Sequence, residues 1–235
     1  MKIHCVWEHN GNDSILYAVD FVGAFTRGTS KEETMLKMPE EIRRFQLWRN
    51  QMPPDEYDIE IVQEKESALQ IRDADSDVLF AAEEKPLTAE EYRYLKFLAL
   101  KSAEDFHTLY SSFPDKNTSA LPYRKTFYGS VPRTAEEMYQ HTKDVNAYYF
   151  SEVGAKADNE GTIVSCRARG FEALESITGY LSLETVTGSY DEQWSVRKVL
   201  RRFIWHDRIH AKAMYRMGIR TFGADVIPDI FGFSR

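Results

Sequence analysis

Residues 195–218 read SVRKVLRRFIWHDRIHAKAMYRMG. Steps of three and four place Val196, Val199, Phe203, His206, His210, Ala213 and Met217 on one line, the inward stripe expected of a packed helix. Two histidines stand where leucines would serve. Four residues apart, they lie one turn above each other, ~6 Å along the axis. In a dry stripe each ring nitrogen needs a partner. A tyrosine hydroxyl or a carbonyl can supply one at a time, as for many core histidines. A metal ion satisfies both rings at once.

Outward from that helix, the chain reads as α+β in two units. The 235 residues suffice for one large domain or two small ones, and the net charge of −7 speaks against nucleic-acid binding. No apolar run approaches the ~18 residues that span a bilayer. The opening MKIHCVWEHN lacks the apolar core of a signal peptide, so a cytoplasmic location is expected. Cys5 and Cys166 have no metal-finger or C-x-x-C spacing and read as inert core thiols.

Residues 1–65 predict a ββαβ unit. Two β-like runs, 2–9 and 15–22, flank the turn formers Asn10, Gly11, Asn12 and Asp13. A short loop at 23–28 leads to a capping box, Ser30 with Glu33. The helix it opens reaches about residue 50, with a kink or restart expected at Pro39. A third strand covers 57–63. Residues 66–86, with Asp73, Asp75, Asp77, Glu83 and Glu84, read as a solvated acidic linker.

Residues 87–235 predict an all-α four-helix bundle with a C-terminal tail. Capping boxes at Thr88 with Glu91 and at Thr134 with Glu137 start the first two helices. Between them, 114–133 reads as a functional loop or a cover over the bundle end. The second helix carries a stripe of Met138, His141, Val145 and Tyr148. A third helix is expected from 165 to about 182, with Gly170 and Gly179 as blemishes, and the fourth is the opening stretch, ended by Gly218 and Gly223. A tail with Phe231 and Phe233 is expected to pack back on the surface. Three histidines, His141, His206 and His210, thus fall on inward stripes. Three neutral imidazoles suit Zn, Ni, Fe or Cu and leave a coordination position open for water or substrate. Asp144, Asp207 and His107 are candidates to orient or replace a ligand, or are ordinary rim groups. Arg197, Arg201, Arg208 and Lys212 share a flank of the last helix. They read as a solvated face or as contacts for a carboxylate-bearing cofactor. No general base is readable.

Two resemblances sharpen this. The hairpin with FVGAFTRGTSKEETMLKMPEEIRRF (21–45) resembles the HicB-like antitoxin fold, with Val22 where that family usually has proline. It implies a unit that packs on a partner or on another copy of itself, hence a homodimer. EEMYQHTKDVNAYYF (136–150) and LRRFIWHDRIHAKAMYRMG (200–218) resemble the DinB/YfiT-like superfamily, four-helix bundles with one histidine on the second helix and H-x-x-x-H on the last. That resemblance implies a divalent-metal triad of His141, His206 and His210, and metal-dependent thiol S-transfer to a small-molecule substrate, with a low-molecular-weight thiol as co-substrate. The family's His-Arg-Gly-Gln is His210-Ala211-Lys212-Ala213 here, so substrate contacts differ. The alternative is a regulatory binding module on a structural or vestigial metal site.

Overall fold

The computed structural model describes residues 1–54, 56–73, 75–126 and 129–234. β1 (Lys2–Asn10) and β2 (Asp13–Ala18) form the expected antiparallel hairpin, turning through Gly11 at φ 57°. The segment expected to be a loop holds a further strand, β3 (Phe25–Gly28), antiparallel to β2. α1 (Lys31–Trp48) then crosses the sheet, and β4 (Asp58–Glu66) returns parallel to β1. The strand order is β3-β2-β1-β4, so the unit is βββαβ rather than ββαβ. Ser30 caps α1, accepting from the Glu33 amide at 3.2 Å, but the expected box does not close, because the Glu33 carboxylate accepts from the Thr29 amide instead. α1 runs through Pro39 without a restart. The proline removes one backbone donor, and buried Met38, Ile42 and Phe45 hold both sides of it on the sheet.

Strand alternation buries the sheet on both faces. Ile3, Cys5, Leu16 and Ala18 face Met38, Ile42 and Phe45 of α1. On the other face Val6, Ile15, Tyr17 and Phe25 pack against Ile71, Val78, Phe80, Trp205 and Ile209. Ile71, Val78 and Phe80 belong to the segment expected to be a solvated linker. It is instead a packed strap with short 3-10 turns at Ile71–Asp73 and Ala81–Glu84. Its apolar residues are diluted among acids, yet they are what seals the sheet.

Four long helices follow the strap: α2 (Ala89–Ser111), α3 (Ala135–Ser151), α4 (Ile163–Glu175) and α5 (Val196–Phe222). α2 and α3 each pack against both α4 and α5. Both expected capping boxes form, at Thr88 with Glu91 and at Thr134 with Glu137. α4 is shorter than expected, because Ser176 caps it and Gly179 turns left-handed at φ 73°. Gly170 is no blemish: an added Cβ would lie 2.1 Å from the Phe150 ring, so α3 and α4 meet there only through glycine. Gly218 does not end α5, which passes it against Phe113 and stops at Gly223. Two small ribbons complete the chain, β5 (Lys125–Thr126) with β6 (Gly129–Ser130), and β7 (Val186–Thr187) with β8 (Gln193–Trp194).

α5 is the axle of the molecule. From Leu200 to Ile209 every residue is buried. One apolar cluster runs from the sheet and α1 through α2 to Met214 and Met217, and ends on Phe231, which stacks on Trp48 at 5.4 Å. The tail is therefore core rather than a surface patch.

Candidate metal centre

Burial on every side of α5 would strand its charges unless each found a partner. Arg201 reaches the strap, donating from Nε to Glu83 at 2.5 Å and from an amino group to the Val78 carbonyl at 2.8 Å. Arg208 donates to Glu41 of α1 at 2.9 Å and to the Gly23 carbonyl at 3.1 Å. Lys212, half-buried, lies 3.4 Å from the same Glu41. Arg197 pairs with Glu91 at 2.8 Å. None of these cations is on a solvated face. Arg201 and Arg208 are spent on binding the α-helical half to the N-terminal half. Asp207, expected near an imidazole, is fully buried in a fork with Arg167, both bonds 3.1 Å, and accepts from Ser102 at 2.6 Å.

The histidines face the other way, and here the expectation converges. The three ring systems of His141, His206 and His210 meet, with centroids 5.4 Å (141–206), 4.6 Å (141–210) and 4.4 Å (206–210) apart. The Nε2 atoms of His206 and His210 are 3.1 Å apart. One ligating atom from each of the three rings lies within 4.8 Å of the others. Nitrogens bound to one tetrahedral ion at ~2.1 Å stand about 3.4 Å apart, so the pair already has ligand spacing. The donor set is right for a borderline ion, and the cleft beside it leaves room for a further ligand.

His141 differs from its expected setting. The buried face of α3 is Met138, Tyr139, Thr142, Asn146, Tyr149 and Phe150. His141 sits on the flank of that face, accessible from the cleft, and completes the trio from its rim. Burial lowers the His141 pKa, while the Asp144 charge opposes the fall. His206 is held well below the ordinary imidazole range by burial first and then by its two imidazole neighbours. His210 is pulled down to about 3 by burial and by His141. Each shift is in the direction that favours the neutral imidazole, the form that can bind a metal. The outer nitrogen of His206, Nδ1, has no partner among the described residues. The carboxylate or carbonyl that usually orients a metal-bound imidazole is absent; Tyr149 and Trp205, at ring distances of 6.0 and 6.3 Å, brace it instead.

Asp144 is exposed, and neither it nor Asp207 hydrogen-bonds an imidazole among the described residues. His107 does not join the trio. It packs beside Tyr139, rings 5.6 Å apart, with its Nδ1 buried and unpartnered.

The trio opens into a cleft of about 410 Å³. Its walls are Val145, Tyr148 and Tyr149 of α3, Arg202 and Trp205 of α5, Asp73 and Asp75 of the strap, and Arg124, Thr126, Ser130, Val131 and Pro132 around the β5–β6 ribbon. Arg124 ties the ribbon to the strap through Asp73 at 2.7 Å. Residues 124, 126 and 130–132, from the segment expected to be a functional loop or a cover over the bundle end, thus line the cleft beside the histidines. Sequence reasoning missed Arg202 and the strap acids as site residues. The only hint was an arginine one turn before His206, and charge on a helix suggests solvent. No family model, curated protein or solved structure matches this chain.

Proposed function

We infer that the chain is a divalent-metal-dependent enzyme whose ion is held by His141, His206 and His210. The observation that carries this reading is the convergence of three neutral imidazoles at the floor of an open cleft. A bound divalent ion would supply Lewis acidity, bringing the pKa of a coordinated water or thiol toward neutrality. The chain's own part is to keep the imidazoles uncharged by burial, to fix their spacing from two helices, and to wall the cleft with Tyr148, Tyr149 and Trp205. Its cysteines do not serve as the nucleophile. Burial pushes Cys5 up to about 12 and also raises Cys166. A thiol acting in this cleft therefore comes from outside, which supports S-transfer from a low-molecular-weight thiol to a small electrophile.

We read the four helices as a DinB/YfiT-like four-helix bundle. What supports it is the mutual packing of α2 to α5, with the histidines on the second and last helices. The HicB-like reading of the N-terminal unit rests on its hairpin and capped helix. Association through the second sheet face is closed by the strap and α5. That leaves the β4 edge, where Val62 is half-exposed, as the surface of the homodimer we expect. Among the described residues no helix is long and apolar enough to cross a membrane.

The test is elemental analysis of natively purified protein beside the His141→Ala, His206→Ala, His210→Ala triple variant. About one divalent ion per chain is expected in the first and none in the second. Thiol-transfer assays over several cellular thiols then follow. A folded, metal-free native protein that takes up no added Zn, Ni or Fe overturns the reading.

A further inference from the structure

Among the described residues, buried cations follow one rule with a single exception. Arg167, Lys198, Arg201 and Arg208 are buried, and each has a carboxylate within 4 Å: Asp207, Glu192, Glu83 and Glu41. Arg202 is also buried, 9% exposed, and has no carboxylate within 4 Å among the described residues. Its guanidinium sits among aromatic rings, 5.2 Å from Tyr149, 5.6 Å from Trp194 and 5.2 Å from Trp205. One amino group donates to the Ser76 carbonyl. Its Nε is buried with no acceptor. Arg202 also lines the cleft of the histidine trio, one helical turn before His206, about 6 Å along the axis.

A desolvated guanidinium lacking a counter-charge costs far more than a paired one, and the neighbouring positions of the same helix show that pairing was available. Aromatic faces offset only part of that cost. We propose that Arg202 is the anion-binding residue of the cleft and that its ligand is the carboxylate of a small organic substrate. The remaining charges set the class. Asp73 is paired with Arg124 and Asp75 lines the same wall, so among the described residues Arg202 is a cleft cation with no carboxylate within 4 Å, supported only at longer range by the Glu192 charge that Lys198 already holds. That suits a monoanion and disfavours a phosphate dianion. The flat fork of arginine matches the two oxygens of a carboxylate. Tyr148, Tyr149, Val145 and Trp205 supply apolar walls for the rest of the molecule. The one-turn offset places the reacting group a few bonds from the carboxylate. That last point rests on the trio being the metal centre; the anion contact does not.

The test is a titration of the full chain, metal-free and zinc-loaded, with benzoate and separately with inorganic phosphate. It is followed by calorimetry and by tryptophan fluorescence, since Trp194 and Trp205 flank the guanidinium. Zinc uptake is measured alongside. Benzoate should bind wild type in both forms, at least tenfold more tightly than phosphate. Arg202→Met should weaken benzoate at least tenfold and leave zinc uptake unchanged. Arg202→Lys, which keeps the charge and the stacked stem, should weaken it several-fold and decides the matter if the Met variant does not fold. Wild type that ignores benzoate, variants that bind it as tightly as wild type, or a preference for phosphate each overturn the proposal. Benzoate binding that depends on Arg202 in a protein that takes up no zinc would sink the metal reading and leave this one standing.

Discussion

The two sides of α5 obey opposite rules. Toward the sheet, the strap and α2, its charges are matched: Arg201 with Glu83, Arg208 with Glu41, Asp207 with Arg167. Toward α3 and the cleft, no polar group of α5 has a carboxylate in contact among the described residues. His206 faces His210 at 3.1 Å, His206 Nδ1 has no acceptor, and Arg202 has no acid. The α5 groups Arg202 and His206 on the cleft side are buried like those on the matched side. The matched side holds two halves together through ion pairs, although one amino group each of Arg201 and Arg208 has no acceptor among the described residues. The unmatched side carries donors and lone pairs whose partners must come from outside the chain. Burial alone therefore does not separate the two kinds of polar group; contact with a counter-charge does.

The largest effect should come from breaking a pair on the matched side. Asp207→Ala leaves Arg167 buried and uncompensated, and should cost about 3–5 kcal/mol in urea denaturation. Replacing both partners, Arg167→Met with Asp207→Leu, should recover most of it. A single variant within 1 kcal/mol of wild type would show that the pairing does not hold the helices.

On the unmatched side, removing a group strands no charge. His206→Ala should cost the metal-free protein about 2 kcal/mol, the price of a partly collapsed cavity. Metal affinity should fall at least 100-fold in competition with a chromophoric chelator. Equal metal affinity in variant and wild type would break the triad assignment.

Per pH unit, the smallest effect is a slope. His206 and His210 have folded pKa values below the ~6.5 of an unfolded chain, so below that pH the unfolded state binds more protons. Stability of the metal-free protein should fall as pH drops below about 6.5, by at most ~1.4 kcal/mol per unit for each histidine that stays neutral, down to about 3 for His210. The His206→Ala variant should show a shallower slope. The same shifts move proton competition for metal well below the pH near 6 at which an ordinary imidazole loses its ligand. A stability profile as steep in the triple histidine variant as in wild type would remove histidine from the account.

Much of this was legible in the chain. The capping boxes at Thr88 and Thr134 located two helices, because side-chain caps are short-range chemistry. His206 and His210 were visible by spacing alone. His141 was legible as a residue but not as a position: reading Met138, His141 and Val145 as the inward line misses the true face through Thr142 and Asn146 by about one residue. β3 was lost because four residues carry too little alternation. The strap was hidden by composition, since Ile71, Val78 and Phe80 stand among aspartates. The arginines of α5 misled most. Sequence charge signals solvent, and only tertiary context reveals that Glu41 and Glu83 come from far upstream to meet them.

That dependence on distant partners has a temporal side. Apart from the tail, α5 is made after the segments it packs against: the sheet, α1, the strap and the three other helices. At ~5–20 residues per second, the roughly 200 residues that precede it take on the order of 10–40 s to synthesise. For all of that time the second face of the sheet and the inner faces of α2 to α4 have no centre to close upon, and Glu41 and Glu83 wait in water for their arginines. The nascent chain is thus a set of half-built surfaces until the axle arrives. Its core and its histidine cleft then form in the same late event.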